Sequence, residues 1–395
     1  MTLRTKVYDV IIIGAGAAGL MCAMTAGQRG RKVLLLEHTG KAGAKILISG
    51  GGRCNFTNLD IAPDRFLSAN PHFATSALKR YTQHDFIALV KRHGIAFHEK
   101  TLGQLFCDGS ARAVVDMLLG ECATGGVDIC YGATVSSVTR ADAFTVTTQT
   151  QTFSAPSLVL ATGGLSIPKM GATGFAYDIA RQFGLPVAAT APALVPLKAS
   201  TACKVFDPAL AGVSFDAVAS IGKQVFREAV LFTHRGLSGP AILQISSYWT
   251  EGRAIALDLM PGRDALAVLR ERKRARPKAT VQTALSENFP ARFAQALATA
   301  YAPAGELANI ADKHLASLAE RLHRFEFLSD SSEGYAKAEV TRGGIDTRAL
   351  SSKTMEARDI PGLYAIGEAV DVTGWLGGYN FQWAWSSGWS AGQAV

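Results

Sequence analysis

The sequence predicts an α/β protein: a parallel sheet with a β-meander, interrupted by an insertion with antiparallel, barrel-like and helical parts. Three observations predict it. A short β-branched run, Val7–Ile13, leads into Gly14-Ala15-Gly16-Ala17-Ala18-Gly19 and then into an apolar helical pattern. A second apolar run, Ser157–Leu160, also ends in glycines, Gly163 and Gly164. From about Pro192 the apolar residues begin to alternate, as antiparallel strands require.

Val7–Ile13 is continuous and apolar enough for a strand buried on both faces of a parallel sheet. Leu20–Arg29 follows the glycine turn as a helix, stopped by Gly30 just past its end. Val33–Leu36 is the next strand, and it ends at Glu37. Strand, glycine turn, helix, strand and acid within about 30 residues make a Rossmann-like dinucleotide unit. Gly14 permits the tight turn, and Gly16 lets backbone approach a pyrophosphate with no Cβ between them. Gly19 lets the helix pack close to the strand. Ala17 and Ala18 offer N–H groups at the positive end of the helix. Glu37, beside His38, is placed to accept both hydroxyls of an adenosine ribose, which argues against a 2′-phosphate.

This unit alone serves FAD and NAD equally, and the rest of the chain points to FAD. Ile360–Glu368 is a turn, a buried strand and then Gly367-Glu368, where Glu368 accepts from a ribityl hydroxyl and Gly367 permits close contact. Gly374, Gly377, Gly378, Tyr379 and Asn380 then feed a helix over Phe381–Ala391, aiming N–H groups at the flavin N1/C2=O edge. In the middle, Ala161, Thr162, Gly163 and Gly164 follow short strands near Val127–Tyr131, Thr134–Val138 and Ala143–Thr148. Val135 is the apolar contact of the adenine-side loop. No second strand–GxGxxG–helix unit occurs, so a separate NAD(P)H-binding domain is not expected.

Lys45-Ile46-Leu47-Ile48-Ser49-Gly50-Gly51-Gly52-Arg53-Cys54-Asn55, followed by Thr57-Asn58, resembles the signature of the BaiN-like flavoproteins. These are also described as the aminoacetone-oxidase family of FAD-binding enzymes, two-dinucleotide-fold flavoproteins. The resemblance extends to Leu231–Pro240, Val340–Gly344 and Gly374–Gly388, and is weakest between about 245 and 335. It implies noncovalent FAD in a discontinuous domain, residues 1–190 and 335–395, interrupted by a β-barrel-like and helical substrate domain, 191–334. It also implies reduction of conjugated C=C bonds in steroid-like enones or oxidation of small amines. Lys45 and Arg53 would offset anionic charge, Gly52 belongs to the loop lying on the cofactor, and Asn55 would orient a flavin edge or substrate carbonyl. Phe381 completes the cofactor set. Cys54 has no second cysteine nearby to resolve a disulfide, so no redox role is expected.

In the insertion, Leu194–Leu197, Val213–Ile221 and Val225–Phe232 read as antiparallel strands, with Ser238 capping a helix that reaches Tyr248 or Trp249. Arg253–Leu259 is strand-like, and Asp264–Arg276 and most of Ala291–Arg324 are helical. The resemblance places His234 in a Thr-His-x-Gly loop facing the flavin, as proton donor or substrate-carbonyl anchor. Tyr379 is the weaker alternative.

The chain has 395 residues, 48% of them hydrophobic, which excludes intrinsic disorder and suggests two or three domains. Its net charge is +8, concentrated in Arg270, Arg272, Lys273, Arg274, Arg276 and Lys278, opposed only by Glu271. That run is read as a solvated helix face, so nucleic acid is not expected as a partner. The six cysteines lack CxxC spacing and zinc-type histidines, and no metal site is expected. Glycines break the apolar start, and no other stretch resembles a membrane span; a cytoplasmic protein is expected. The expected function is an FAD-dependent oxidoreductase transferring hydride between flavin N5 and a small or hydrophobic substrate, with NAD(P)H or O2 as electron partner. The alternatives are a flavoenzyme acting on RNA through the basic helix, and a flavin-binding sensor without turnover.

Overall fold

In the computed structural model, which describes residues 5–395, five strands form a parallel sheet in the order Leu363–Ala365, Ser157–Leu160, Val10–Ile13, Val33–Leu36, Asp128–Cys130. Val10–Ile13 lies at its centre with every side chain buried, which is why that segment tolerates no alternation of polar residues. The apolar run at the start is split. Lys6–Val7 pairs with Thr152–Ala155 in a second, four-stranded sheet, completed by Phe144–Thr148 and Val135–Arg140. The segment near 127–131 belongs to the parallel sheet as an edge strand, not to the meander. Thr152–Ala155 takes the place expected for it.

Helix Ala17–Gln28 covers the central strand and starts three residues earlier than expected, so the end of the glycine turn is its first turn. The C-terminal helix Tyr379–Gly392 packs along it through glycines. A Cβ on Gly388 would lie 2.5 Å from the Ala18 carbonyl oxygen, and one on Gly392 would lie 2.6 Å from Thr25 Cβ. The two fully buried tryptophans of this helix are satisfied: Trp383 donates to the Gly367 carbonyl at 3.0 Å and Trp385 to that of Phe56 at 2.8 Å. The helix after the glycine turn and the C-terminal helix therefore lie against each other.

The chain divides into two compact units, one running to Ala191 and resuming over Val340–Val395, the other Pro192–Glu339. The second holds a seven-stranded antiparallel sheet with Phe325–Phe327 at one edge and Ser329–Ser332 at the other. Only Leu328 separates those edge strands in sequence, so the sheet must curl until its edges nearly meet, a near-barrel. The helix after Gly236–Ser238 begins at Pro240 with Gly239, φ +88, at its cap position. Ser238 is a strand residue there and caps nothing, since the cap position falls one residue later at Gly239, where a Cβ would lie 2.7 Å from the Ala229 carbonyl oxygen. The stretch 291–324, read as mostly helical, holds two helices, Ala291–Tyr301 and Asp312–His323. Among the described residues, no helix is long and apolar enough to cross a membrane and no acid–His–Cys cluster is arranged to hold a metal.

Candidate functional site

The turn after Val10–Ile13 uses its glycines for different reasons. Gly14 has φ +107, and a Cβ on it would stand 2.5 Å from the Ala161 carbonyl oxygen. A Cβ on Gly19 would lie 1.9 Å from the Gly14 oxygen, so helix and strand approach only because it is absent. Gly16 has φ −79, open to any residue, and a Cβ there would meet nothing within 4 Å. Its bare face opens onto space at the start of helix Ala17–Gln28, whose first turn carries no side-chain cap. Those N–H groups bear the positive end of the helix dipole. Thr162, against Gly14, has a buried hydroxyl without a hydrogen-bond partner among the described residues. Gly163, φ +74, is equally open. An uncapped helix start, a bare glycine face and an orphaned hydroxyl suit a ligand with several acceptor oxygens, and a pyrophosphate fits them.

Glu37 is buried at the end of Val33–Leu36. One carboxylate oxygen accepts from the Ala15 N–H at 2.9 Å, and the other accepts from the N–H and hydroxyl of Thr39 at 2.8 Å. The oxygen facing Ala15 keeps a second lone pair for a ligand hydroxyl, whereas Thr39 takes both lone pairs of the other. His38 stands beside it with a half-exposed ring, Nδ1 3.2 Å from the carboxylate. The Glu37 backbone pairs with Cys130 and Ala133, which brings half-buried Val135 to this end of the sheet.

A second group forms around Glu368. Lys45 Nζ lies 2.5 Å from one carboxylate oxygen and donates to Ser166 Oγ; Ser166 Oγ and the Thr341 N–H donate to the other oxygen at 2.8 and 2.9 Å. Gly164 faces this group, since a Cβ there would meet Thr341 Oγ1 at 2.5 Å. Gly367, φ +64, rests against Ala18. The sequence reading missed Ser166 and Thr341. Thr341 stands in the Val340–Gly344 motif, which was its only signal. Lys45 directs its charge to Glu368 within the chain, a partner that only folding reveals.

The Ser49–Gly52 stretch is a tight turn with Gly50 and Gly51 at left-handed φ of +57 and +67. Arg53 is exposed beside it, and the Gly52 carbonyl accepts from the Ala111 N–H at 2.7 Å. A second cysteine is near Cys54 after all: Cys107 lies across from it on the neighbouring strand and donates its N–H to the Cys54 carbonyl at 3.4 Å. Both are buried, and burial pushes the Cys54 thiol up to about 12 and the Cys107 thiol up to about 11, so neither offers a thiolate. The Asn55 amide faces Gln104 at 3.3 Å. Gly378, φ +95, presses on Thr57, where a Cβ would fall within 2.4 Å of the backbone. Asn380 closes its amide on the backbone of Gly374 and Trp375, and Phe381 stacks on Trp385 with ring centres 5.6 Å apart. Tyr379 accepts from Arg65 at 2.9 Å and donates to the Asp60 carbonyl, which occupies its hydroxyl.

A model of the "HI0933-like protein Rossmann domain" family matches residues 8–394. The chain belongs to the HI0933-like family. It is 50% identical over 393 residues to the "Ribosomal RNA dihydrouridine synthase" of Escherichia coli (strain K12), covering 98% of this chain and 97% of that protein. It is 31% identical over 411 residues to the "3-dehydro-bile acid delta(4,6)-reductase" of Clostridium scindens, covering 97% and 98%. Among solved structures, a 3-ketosteroid-delta4-(5alpha)-dehydrogenase from Rhodococcus jostii RHA1 superposes with a TM-score of 0.52 at 16% identity, covering 99% and 98%, which speaks for the fold alone.

This HI0933-like chain is therefore a flavin-dependent oxidoreductase with a Rossmann nucleotide-binding domain. The expectation that nucleic acid is no partner is overturned by the full-length relative named for ribosomal RNA. Charge counting missed this because the basic run looked self-sufficient as a solvated face. In the structure Arg270 and Lys273 share Asp312 at 3.2 and 3.0 Å, and Arg272 pairs with Glu287 at 2.8 Å. Arg276 lies 3.9 Å from Glu287, so four of the six cations share two facing acids and the surface stays positive. His234 lies in the same unit, exposed in the turn between Gln224–Phe232 and Gly236–Ser238, a turn pinned by the Thr233 hydroxyl.

Proposed function

We propose that this chain reduces the C5=C6 bond of a uridine in ribosomal RNA, with FAD as its flavin. The full-length identity to the RNA-acting relative carries the reading. Chemistry supports it: that bond is conjugated to the C4 carbonyl, so uracil is electronically an enone, the reaction class implied by the family resemblance. Reduced FAD, when bound, supplies a hydride equivalent. The first-turn N–H groups of Gly16–Ala18 and the Thr162 hydroxyl would hold its pyrophosphate, Glu37 its adenosine ribose, and Glu368 its ribityl chain. Uridine gains two electrons and two protons. The electrons must come from a donor such as NAD(P)H, because O2 is an acceptor. His234, by its side-chain chemistry, is proposed as proton donor or carbonyl anchor.

The test reduces the purified holoenzyme anaerobically and mixes it with unmodified ribosomal RNA transcribed in vitro. Flavin reoxidation together with dihydrouridine in the digested RNA is the expected outcome. Reoxidation by a 3-oxo-Δ4 steroid, with RNA left unchanged, would favour instead the enone reading that the bile-acid relative supports.

A further inference from the structure

Between strands Phe97–Glu99 and Gln104–Cys107 the chain reverses at Thr101-Leu102-Gly103-Gln104. The Gln104 N–H donates to the Thr101 carbonyl at 3.0 Å, and both central residues have positive φ, +51 at Leu102 and +75 at Gly103. A turn of this kind selects Asn-Gly, because a larger side chain at positive φ crowds its own backbone. This chain has leucine there. Burial does not account for it, since Leu102 is 62% exposed. Leu59 stands beside it, 41% exposed, its N–H donating to the Gly103 carbonyl at 2.8 Å. Neither turn geometry nor core packing selects two apolar side chains at this tip.

The tip is tied to the candidate site. The Asn58 amide nitrogen donates both to the Leu102 carbonyl at 3.1 Å and to the Gly377 carbonyl at 2.9 Å. Gly377 and Gly378 open the C-terminal helix and are the glycines read above as flavin-facing. Nearby charges are largely committed: Asp60 to Arg65 at 2.5 Å, and Glu99 to the Gly103 N–H at 3.1 Å. Lys100, just before the turn, lies over the Phe106 ring at 5.3 Å.

A hydride can reach C6 only if one face of the base is free, and in structured RNA stacking covers both faces. Proteins that open a stack do so by inserting apolar side chains. Resting on the RNA reading, we propose that Leu102 and Leu59 form a wedge. It enters the base stack of a structured RNA beside the target uridine and holds that base unstacked.

The test compares the anaerobically reduced holoenzyme with its Leu59→Ser/Leu102→Asn variant, reduced in the same way, in which asparagine suits the positive φ. The probes are an RNA hairpin carrying 2-aminopurine next to a stem uridine, and a short unstructured strand with the same uridine. Binding is read by anisotropy, unstacking by 2-aminopurine fluorescence, which needs no turnover, and product by nucleoside mass spectrometry. The wild type should brighten the hairpin and reduce both probes. The variant should melt no lower and reduce the single strand normally, but leave the hairpin dark and reduce it at least about tenfold more slowly. A variant that brightens the hairpin like the wild type, or that loses both probes equally, overturns the wedge. So does a wild type that reduces the single strand without brightening the hairpin, which leaves the RNA reading standing. A wild type inert on both RNAs overturns that reading and the wedge with it.

Discussion

The same substitution, glycine to alanine, should have opposite consequences at two positions three residues apart. At Gly19 the new Cβ would lie 1.9 Å from the Gly14 carbonyl oxygen, backbone that cannot swing aside, because Gly14 is itself held against Ala161. Overpacking of this kind costs about 1–3 kcal/mol or more, so Gly19→Ala should lower the unfolding midpoint markedly whether or not FAD is added. At Gly16 the φ of −79 is ordinary and the new methyl meets no protein atom within 4 Å. There the loss of unfolded-state entropy should stabilise the ligand-free chain by about 0.4–1 kcal/mol. The methyl would, however, occupy the space read as the pyrophosphate's. Loss of one or two good N–H contacts corresponds to about 1.4–3 kcal/mol, or roughly tenfold to a hundredfold in Kd. The assay is thermal unfolding of both variants with and without FAD, with affinity read by quenching of flavin fluorescence. A Gly16→Ala protein that binds FAD like the wild type would refute the assignment of that open face.

Other consequences follow from single contacts. Burial alone would push the Glu121 carboxyl up, but hydrogen bonds from His93, Gln28 and Arg92 outweigh it and hold the group down to about 2. The carboxyl is therefore lower in the folded chain than in the unfolded one. Its contribution is complete above about pH 4.5 and disappears as pH falls toward 2, so Glu121→Gln should flatten the melting profile across that window. Lys45→Met leaves Glu368 with only Ser166 and Thr341. It should cost about 1–2 kcal/mol in a denaturant titration, and unchanged stability would mean the pair is merely tolerated. Arg274 and Lys278 lie outside the ion pairs with Asp312 and Glu287, so replacing both by alanine should reduce the slope of log K against log salt for ribosomal RNA by about 1.4 to 1.8. An unchanged slope would move the phosphate contact elsewhere.

Much of the site was legible because local geometry demands particular residues. Gly14 and Gly19 each answer a steric constraint within one strand–turn–helix, Gly16 answers none inside the protein, and Glu37 follows the next strand. Ser166 and Thr341 were illegible because they reach Glu368 from segments far apart in the chain. A hydroxyl without a periodic pattern leaves no trace of its partner. Cys107 opposite Cys54 was missed for the same reason, since strand register links positions that sequence spacing cannot.

By itself, the amino-acid order determined the parallel core, the dinucleotide turn and the return of the C-terminus, because continuous β-branched runs and obligatory glycines are set by neighbouring atoms. Only the folded chain decided which strand each run joins, that Lys45 answers Glu368, and that Leu102 stands exposed at positive φ beside Gly377. These depend on contacts between distant segments, whose energies appear only once the backbone entropy of bringing them together has been overcome.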